Sequence, residues 1–500
     1  MGGGILLRTA VVPELAFLLA IPLAGAGVVA LLPKGRQAWV RGTTLTASLL
    51  TMGAAVWVAL GFDPSESGLQ FYGRLSGNER MGSDFVLGVD GLSLPLVLLA
   101  VLLNGLAVLA SAKVVEHRKG YAAAMLCLES AVLGVFLAQD WSVFYIFWEL
   151  TLLPVFFLIN HWGGEHRGRA ALNFMLYTMG GSVFMLVGLL YAFDVSGTHS
   201  FSMVELAVGL RETSPETQFL ILMGFLIGFG VKMPIFPLHG WQPLAYVEAP
   251  TPVTMLLSGI LSKMGFYGLL RAAVMLPEAM VAVQGFLATV ALINIIYGGI
   301  LAWRQSDLKV MLAYSSFSHT GVILLGIAAM NSAGLTGAVV QMVAHGLVAA
   351  ILFLLLGLLA ERGRSREVGH YGGLVGRTPR FAFFVTLAFL GAVGVPGTAG
   401  FVAELHTLIG AFQRWGWAAL LLSVGMLIGA AYSWRTIGRL FTGPPLPGMG
   451  VIPDLERGEL VPVVVLAGGV VGLGFFPMPL LSLIETSVGH LTALLGGLPG

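Results

Sequence analysis

The sequence predicts an all-α polytopic membrane protein with about 14 transmembrane helices, two of which are broken. Of its 500 residues, 57% are hydrophobic and only 10% are charged, and the mean hydropathy is +0.89. A soluble domain would have about a quarter of its residues charged. Apolar runs of about 20 residues, long enough to cross a bilayer as helices, recur along the chain. Glycine and proline interrupt two of these runs, at VKMPIFP and GVPGTAG.

The composition excludes several other classes of protein. Cys127 is the only cysteine, which excludes an internal disulfide and an iron–sulfur cluster held by cysteines of this chain. The net charge is +1 and no basic tract suited to nucleic acid is present. The N-terminus lacks the charged region and cleavage site of a signal peptide, so the first apolar run is predicted to be a retained span.

Uninterrupted apolar runs define the spans, and polar or Gly/Pro-rich segments separate them. Residues 62–89 are predicted to form a polar loop, and residues 201–210 a short amphipathic helix at the membrane interface. The run at 381–412 is too long for one straight crossing and is interrupted. In chain order the predicted spans are 11–32, 40–61, 91–115, 121–138, 141–162, 170–193, 219–238, 249–270, 279–303, 308–330, 335–360, 381–412, 417–440 and 460–484.

The charges of the connecting loops predict the orientation. Under this assignment the basic residues fall on one side of the membrane and acidic residues dominate the other, so both termini are predicted to lie outside the cytoplasm. The basic residues are Lys34, Arg36, Arg41, Lys113, Arg118, Lys119, Arg167, Arg169, Arg304, Lys309, Arg362, Arg364, Arg366, Arg377 and Arg380. The acidic residues are Asp63, Glu66, Glu79, Asp84, Asp90, Asp194, Glu205, Glu212 and Glu216.

The two broken spans, the seventh and the twelfth, indicate an internal repeat. They are separated by an odd number of crossings, so the corresponding segments run in opposite directions through the membrane. Paired interrupted spans are typical of inverted-repeat transporters, whose binding sites lie at the breaks. The pattern favours three N-terminal spans in 1–115 and a first five-helix repeat in 116–271. A second repeat follows in 272–440, and a last span with a short tail in 441–500.

Glu149 and Lys232 lie inside predicted spans. Glu149 is in FYIFWELTLLPVFFLI, and Lys232 follows an uncharged run that begins at residue 219. A charge at the bilayer centre costs about 2.5–3.5 kcal/mol even on a lenient scale, so such residues are usually functional. Burial and a nearby opposite charge shift a pKa in opposite directions, so a glutamate–lysine pair whose separation varies would act as a proton switch. The alternatives are a structural carboxylate and a lysine that snorkels to the interface.

Two prolines follow Lys232 and break its helix. Pro234 and Pro237 lack a backbone N–H, so the carbonyls of Gly230 and Met233 are predicted to lose their helical partners. Broken backbone at membrane depth is tolerated only where protein or water covers it. A cation beside free carbonyls inside the membrane therefore indicates an ion pathway.

Lys263 and two histidines are the next candidate proton carriers. Lys263 lies in MLLSGILSKMGFYGLL, His319 in AYSSFSHTGVILLG and His345 in AVVQMVAHGLVAAILF. A buried lysine can exchange protons, and imidazole titrates near neutral pH. Each histidine alone would fit a packing role equally well, but two on consecutive spans favour a relay. Glu404 follows the second break and is predicted to be the exit of the path.

These residues belong to segments that closely resemble the antiporter-like subunits of respiratory complex I. The resemblance extends roughly from the fourth to the thirteenth span and implies 14 helices, two inverted five-helix repeats and a hydrated axis along the membrane plane. It matches Glu149 and Lys232 to the paired glutamate and lysine of the family, Lys263 to the central lysine, and His319 and His345 to the connecting path. The segments are FYIFWELTLLPVFFLINHWGG, VKMPIFPLHGWQPLAYVEAPTPVTMLLSGILSKMGFYGLLR, DLKVMLAYSSFSHTGVILLG and HGLVAAILFLLLG.

Within the family, the chain looks like the chain-M type (mitochondrial subunit 4). That type has a glutamate in the broken twelfth helix where the other types have a lysine, and this chain has Glu404. The short predicted tail also differs from the long lateral helix of chain L. The loop at 241–250 reads WQPLAYVEAP, whereas the family commonly reads WLPDAHVEAP. Leu405 replaces a usual phenylalanine, and His406 is an addition.

The resemblance implies a proton-translocating subunit of NADH:quinone oxidoreductase in a bacterial inner (plasma) membrane. It implies that this chain binds no cofactor itself, and that NADH, FMN, iron–sulfur clusters and quinone belong to partner subunits. The expected partners are neighbouring antiporter-like subunits of the membrane arm and the lipid bilayer, with no nucleic acid. The first alternative is a subunit of a multi-subunit cation/proton antiporter or membrane-bound hydrogenase. A remote alternative is a b-type cytochrome with His319 and His345 as haem ligands.

Overall fold

The protein is almost entirely helical in the residues that the structure describes, and every predicted span coincides with a helix or with two successive helices. Twelve helical stretches are long and apolar enough to cross a membrane, which confirms the predicted polytopic all-α fold. The structure is a computed structural model, and the residues that it describes are 13–33, 35–78, 82–114, 116–446 and 449–496. Outside them lie residues 11–12 of the first predicted span, Lys34, residues 79–81 of the predicted polar loop and Val115 at the end of the third predicted span.

The N-terminal part contains three spans and a hairpin that the all-α prediction did not include. The predicted polar loop at 62–89 forms two antiparallel strands, with Leu75 opposite Phe85. Aromatic and β-branched residues in QFYGRL and DFVLGV favour strands, and an ion pair between Arg74 and Asp84 joins the two. The elements are α1 (Pro13–Leu31), α2 (Gln37–Leu60), β1 (Gln70–Asn78), β2 (Ser83–Val89) and α3 (Leu94–Ala110).

The next part contains the helices of the first predicted repeat. The fifth span is divided at Thr151, and the seventh ends at Lys232, before a non-helical segment that continues to residue 241. The eighth span contains one π turn at Leu257–Leu261. The helices are α4 (Arg118–Leu137), α5 (Trp141–Leu150), α6 (Leu152–Trp162), α7 (Arg167–Val195), α8 (Met203–Leu210), α9 (Pro215–Lys232), α10 (Gln242–Glu248), α11 (Thr251–Leu256) and α12 (Ser262–Met275).

The helices of the second predicted repeat follow. The long twelfth span is divided, as predicted, by a non-helical segment at 393–398. The helices are α13 (Pro277–Ala282), α14 (Gln284–Arg304), α15 (Leu308–Ala329), α16 (Ser332–Gly363), α17 (Pro379–Ala392), α18 (Ala399–Trp415) and α19 (Leu421–Phe441).

The C-terminal part differs from the prediction. The last span, α20 (Arg457–Phe475), ends before Pro477, because the residue preceding a proline is disfavoured in a helix. A further helix, α21 (Met478–Gly496), takes the place of the expected short tail. Its Ser487 Oγ accepts a hydrogen bond from the Gly91 N–H at 3.0 Å, so α21 lies against the segment that leads into α3.

The centre of the molecule is formed by α11–α12 and α16. Their most apolar windows are buried throughout, whereas less than half of the corresponding windows of α1 and α2 is buried. Lys263 and His345 lie on these two central elements. The fold therefore places two of the predicted relay residues at the site farthest from lipid.

Candidate functional site

Lys263 is completely buried at the beginning of α12, directly after the π turn. A π turn interrupts the regular α-helical hydrogen bonds, and the Ser258 carbonyl within it accepts from Lys263 Nζ at 2.5 Å. Nζ also lies 3.4 Å from Ser262 Oγ and 2.8 Å from His345 Nδ1. Three acceptors thus match the three N–H donors of an ammonium. The Lys263 ammonium is therefore held inside the protein and does not extend to the membrane surface.

Lys263, His345, His319 and Glu404 form a line through the second half of the protein. The ring centroids of His345 and His319 are 5.6 Å apart, and His319 Nδ1 lies 3.8 Å from Glu404 Oε1. The sequence predicted Glu404 as the exit of the path but gave no order for the two histidines. Each member belongs to a different helix, α12, α16, α15 and α18, so the line depends on how these helices pack.

Glu404 is buried and faces the break in the twelfth span. Its Oε2 atom has no hydrogen-bond partner. Gly394 lies so close that a Cβ at that position would be 2.2 Å from Oε2. A cavity of about 20 Å³ is lined by Glu404, His319 and Tyr432, and this volume is enough for about one water molecule. The Tyr432 hydroxyl shares a hydrogen bond of 2.7 Å with Ser315 Oγ at the same place.

Lys232 is buried at the last residue of α9, where the carbonyl end of a helix favours a cation. Nζ donates to Thr151 Oγ1 at 2.8 Å and lies 5.1 Å from the Trp148 ring centroid. It forms no ion pair within 4.0 Å with Glu149. Glu149 is half-buried, and its buried Oε1 atom has no hydrogen-bond partner. The structure therefore brings the two residues to adjacent elements without pairing them directly.

The broken backbone after Lys232 is largely satisfied by the protein. The prediction of a free Gly230 carbonyl was wrong, because the Ile235 N–H donates to it at 2.9 Å. Asn294, fully buried on α14, accepts from the Phe236 N–H at 2.9 Å and donates to the Pro234 carbonyl at 3.3 Å. One side chain of the second predicted repeat thus binds the broken backbone of the first.

An ion pair joins the C-terminal part of α12 to the residue that follows β2. Arg271 Nη1 lies 2.6 Å from Asp90 Oδ2. Burial alone would raise the pKa of Asp90, but Arg271 and the backbone N–H groups of Ser93 and Leu92 hold that pKa below its ordinary value. The pair anchors the helix that carries Lys263 to the segment before α3.

Sequence reasoning missed several residues that contact the site. Three of them are uncharged and lie in apolar predicted spans, so no local pattern distinguishes them from packing residues. They are Thr151, Asn294 and Ser258. Tyr432 lies on α19, far along the chain from Ser315. Covariation between such positions is the signal that would identify them, and a single sequence does not contain it.

These features define a polytopic membrane protein with a buried line of titratable side chains. The family described as NADH:quinone oxidoreductase/Mrp antiporter, TM matches residues 138–429, a range that includes all six predicted site residues. The NAD(P)H-quinone oxidoreductase chain 4 1 of Synechococcus sp. (strain JA-3-3Ab) is 38% identical over 478 residues, which cover 93% of this chain and 90% of that protein. The NADH-quinone oxidoreductase subunit M of Rhodobacter capsulatus is 37% identical over 493 residues, with 94% of each covered.

A solved structure is similar over nearly the whole chain. A chain of respiratory complex I from Thermus thermophilus with bound NADH superposes with a TM-score of 0.88 and 30% identity, covering 97% of this chain and 100% of that one. This chain therefore belongs to the NADH:quinone oxidoreductase/Mrp antiporter family. Its named relatives are chain 4 or subunit M proteins, which confirms the resemblance predicted from Glu404.

Proposed function

We propose that this chain is a proton-translocating membrane subunit of an NADH:quinone oxidoreductase. The support is the agreement between the named relatives and the buried line from Lys263 to Glu404. In this proposal the chain is part of an enzyme complex but has no redox site. NADH, FMN, iron–sulfur clusters and quinone belong to partner subunits, among which neighbouring antiporter-like chains contact it in the lipid bilayer. The membrane is a bacterial plasma membrane, with both termini on the non-cytoplasmic side.

The observation that carries the proposal is the 2.8 Å contact between Lys263 Nζ and His345 Nδ1. An ammonium at this distance can pass a proton to the imidazole nitrogen. Lys263 is then a neutral amine, and its hydrogen bond to the Ser258 carbonyl is no longer strengthened by a positive charge. His319 receives the proton next and Glu404 last. The cavity beside His319 and Glu404 has room for a water that would complete the transfer.

Glu149 and Lys232 act in this proposal as the element that biases Lys263. Lys232 is held by Thr151, while the Glu149 Oε1 atom is unpartnered. A shift of Lys232 from the Thr151 hydroxyl toward Glu149 would bring the two opposite charges together and so change the electrostatic potential along the first half of the path. Opposite charges stabilise each other more strongly in a low-dielectric interior than in water. The division into 1–115, 116–271, 272–440 and 441–500 belongs to the same proposal, with one half of the path in each repeat.

The test is Lys263→Ala in the intact complex, with proton pumping and NADH-driven quinone reduction measured together in membrane vesicles. We expect assembly of the complex and loss of pumping, because the line loses its first donor. Lys119→Ala is the matched control, since Lys119 Nζ only donates to the Ala30 and Leu32 carbonyls at the end of α1. Pumping at the control rate by the Lys263 variant would refute the proposed path.

The cation/proton antiporter alternative is favoured by the family description itself, which includes Mrp antiporters. It predicts sodium-dependent proton exchange in vesicles without NADH, so that measurement separates the two functions. The haem alternative has no such support. His345 Nδ1 already contacts Lys263, and the cavity beside His319 is far smaller than a porphyrin.

A further inference from the structure

We propose that Glu129 is an additional proton-binding residue that receives protons from the predicted cytoplasmic side and delivers them to Lys263. The inference rests on the proposed function above. Glu129 lies in the middle of α4, away from the line between Lys263 and Glu404, and is only 3% exposed. A carboxylate at such a depth is costly and usually has a function.

The contacts of Glu129 leave half of its carboxyl group free. Asn104 Nδ2 donates to Oε2 at 2.6 Å, and Ser48 Oγ donates to the same atom at 3.2 Å. Oε1 is buried without a partner, and so is Asn104 Oδ1. A carboxyl that served only to join α2, α3 and α4 would gain from satisfying these atoms. The unused hydrogen-bonding capacity of these two oxygen atoms fits a carboxyl group that gains and loses a proton.

Glu129 lines a small cavity that it shares with the π turn preceding Lys263. The cavity measures about 10 Å³, close to the lower limit for one water molecule. Its other walls include Leu256, Ile260 and Leu261 from the end of α11 and the π turn. The carbonyl that holds Lys263 Nζ belongs to this same turn. The irregular turn thus faces Glu129 on one side and the relay lysine on the other.

A second pocket lies at the N-terminal end of α4, about two turns from Glu129 along the helix. It measures about 30 Å³ and is lined by Thr44, Ser111, Tyr121, Arg41 and Arg118, residues that lie at the predicted cytoplasmic ends of α2, α3 and α4. Thr44 and Ser48 are one turn apart and share a face of α2. The hydroxyl of Ser48 therefore lies between this pocket and the Glu129 carboxylate.

The proton balance of the route is simple. A hydronium that leaves the pocket along the face of α2 shared by Thr44 and Ser48 gives its proton to Ser48 Oγ and becomes water, and Ser48 passes its own hydroxyl proton to Glu129 Oε2. In the second step the Glu129 O–H bond breaks, and the proton moves through water in the inner cavity to the lone pair of a neutral Lys263 amine. Glu129 returns to a carboxylate and Lys263 becomes an ammonium, ready to donate to His345.

The experiment compares four variants of the intact complex in membrane vesicles, with pumping and quinone reduction measured together. Glu129→Gln keeps the shape and hydrogen bonds of the side chain but exchanges no proton, so both rates should fall by about tenfold or more. Glu129→Asp should retain a larger part of both rates. Ser48→Ala should lower them, and Ser130→Ala should not. Ser130 is the matched control, a buried polar neighbour that donates to the Leu19 carbonyl at 3.0 Å.

A readout that a structural role would not change completes the test. Infrared difference spectra during NADH oxidation should contain a carboxylic acid band that is absent in Glu129→Gln. Wild-type rates in Glu129→Gln would overturn the proposal. If that variant does not assemble, wild-type rates in Ser48→Ala and Thr44→Val would overturn it. Lys263→Ala measured in parallel separates the outcomes, because its failure to stop pumping would refute the main path instead.

Discussion

Replacing Gly394 by alanine should disconnect Glu404 from the proposed relay without substituting any titratable residue. Gly394 lies in the break between α17 and α18 with φ at +69°. An added Cβ would be 2.2 Å from Glu404 Oε2. Gly397 in the same break has φ at +92°, but a Cβ there meets only the exposed ring of Phe475, at 3.1 Å. Gly397→Ala is therefore a control with comparable backbone strain and no contact with the carboxylate.

The size of the effect follows from these distances. Carbon–oxygen contacts are ordinarily about 3.3–3.6 Å, so the Glu404 carboxylate must withdraw by about 1 Å. A misplacement of about 1 Å can reduce the rate of a reaction about 10²-fold. The contact at risk is the 3.8 Å separation between His319 Nδ1 and Glu404 Oε1. The left-handed backbone adds about 1–2 kcal/mol of destabilisation to both variants.

The assay is NADH-driven proton pumping in vesicles, with quinone reduction and assembly of the complex followed in parallel. Both variants should assemble with lowered thermal stability, and only Gly394→Ala should lose pumping, by about 10²-fold. Adding Glu404→Asp, which shortens the side chain by one methylene, should restore part of the pumping. Equal pumping by the Gly394 and Gly397 variants would refute the argument that the break positions Glu404.

Two further predictions concern the first half of the protein. Thr151→Val removes the acceptor of the 2.8 Å hydrogen bond from Lys232 Nζ, worth about 1.5–3 kcal/mol for a charged donor. Pumping should fall about tenfold, whereas Thr178→Val, which loses only a bond to a helix carbonyl, should pump normally; equal rates would contradict a role for Thr151. Asp90→Asn leaves Arg271 buried without its counter-charge and should lower the free energy of unfolding by about 3–5 kcal/mol, measured by thermal denaturation. Because the folded pKa of Asp90 is depressed below 3.8, its stabilisation is present above that pH and is lost as pH falls through the folded pKa; no change in melting temperature would refute it.

Most of the fold could be predicted because lipid imposes a simple rule on sequence. Spans must be apolar for about 20 residues, and proline and glycine mark breaks at 234 and 394. The hairpin was missed because its strands, of 9 and 7 residues, are too short to span a membrane, so a search for apolar runs assigns the segment to a loop. The helix α21 was missed because its apolar start merges with the last span, and only Pro477 separates them.

The burial of four proposed relay residues could be predicted from the sequence, but their hydrogen-bond partners could not. They are Lys232, Lys263, His345 and Glu404. Charges inside apolar runs are conspicuous, so Lys263 and Glu404 were found directly. Glu149 and Lys232 were predicted as a pair whose separation varies, and in the structure Lys232 donates to Thr151 instead. Hydrogen-bond partners depend on the rotation of packed helices, which a single sequence leaves undetermined.

The relay residues divide by the kind of backbone that carries them. Lys232 lies at the end of α9, Lys263 follows the π turn, and Glu404 faces the break before α18, so these three predicted charge carriers lie at irregular backbone. His319 and His345 lie within regular helices. An ammonium or carboxylate in lipid needs extra hydrogen bonds that a regular helix does not offer, whereas a neutral imidazole can reside there at lower cost. In the proposed path, Lys263 and Glu404 therefore hold charge beside irregular backbone, and the two histidines connect them through regular helices.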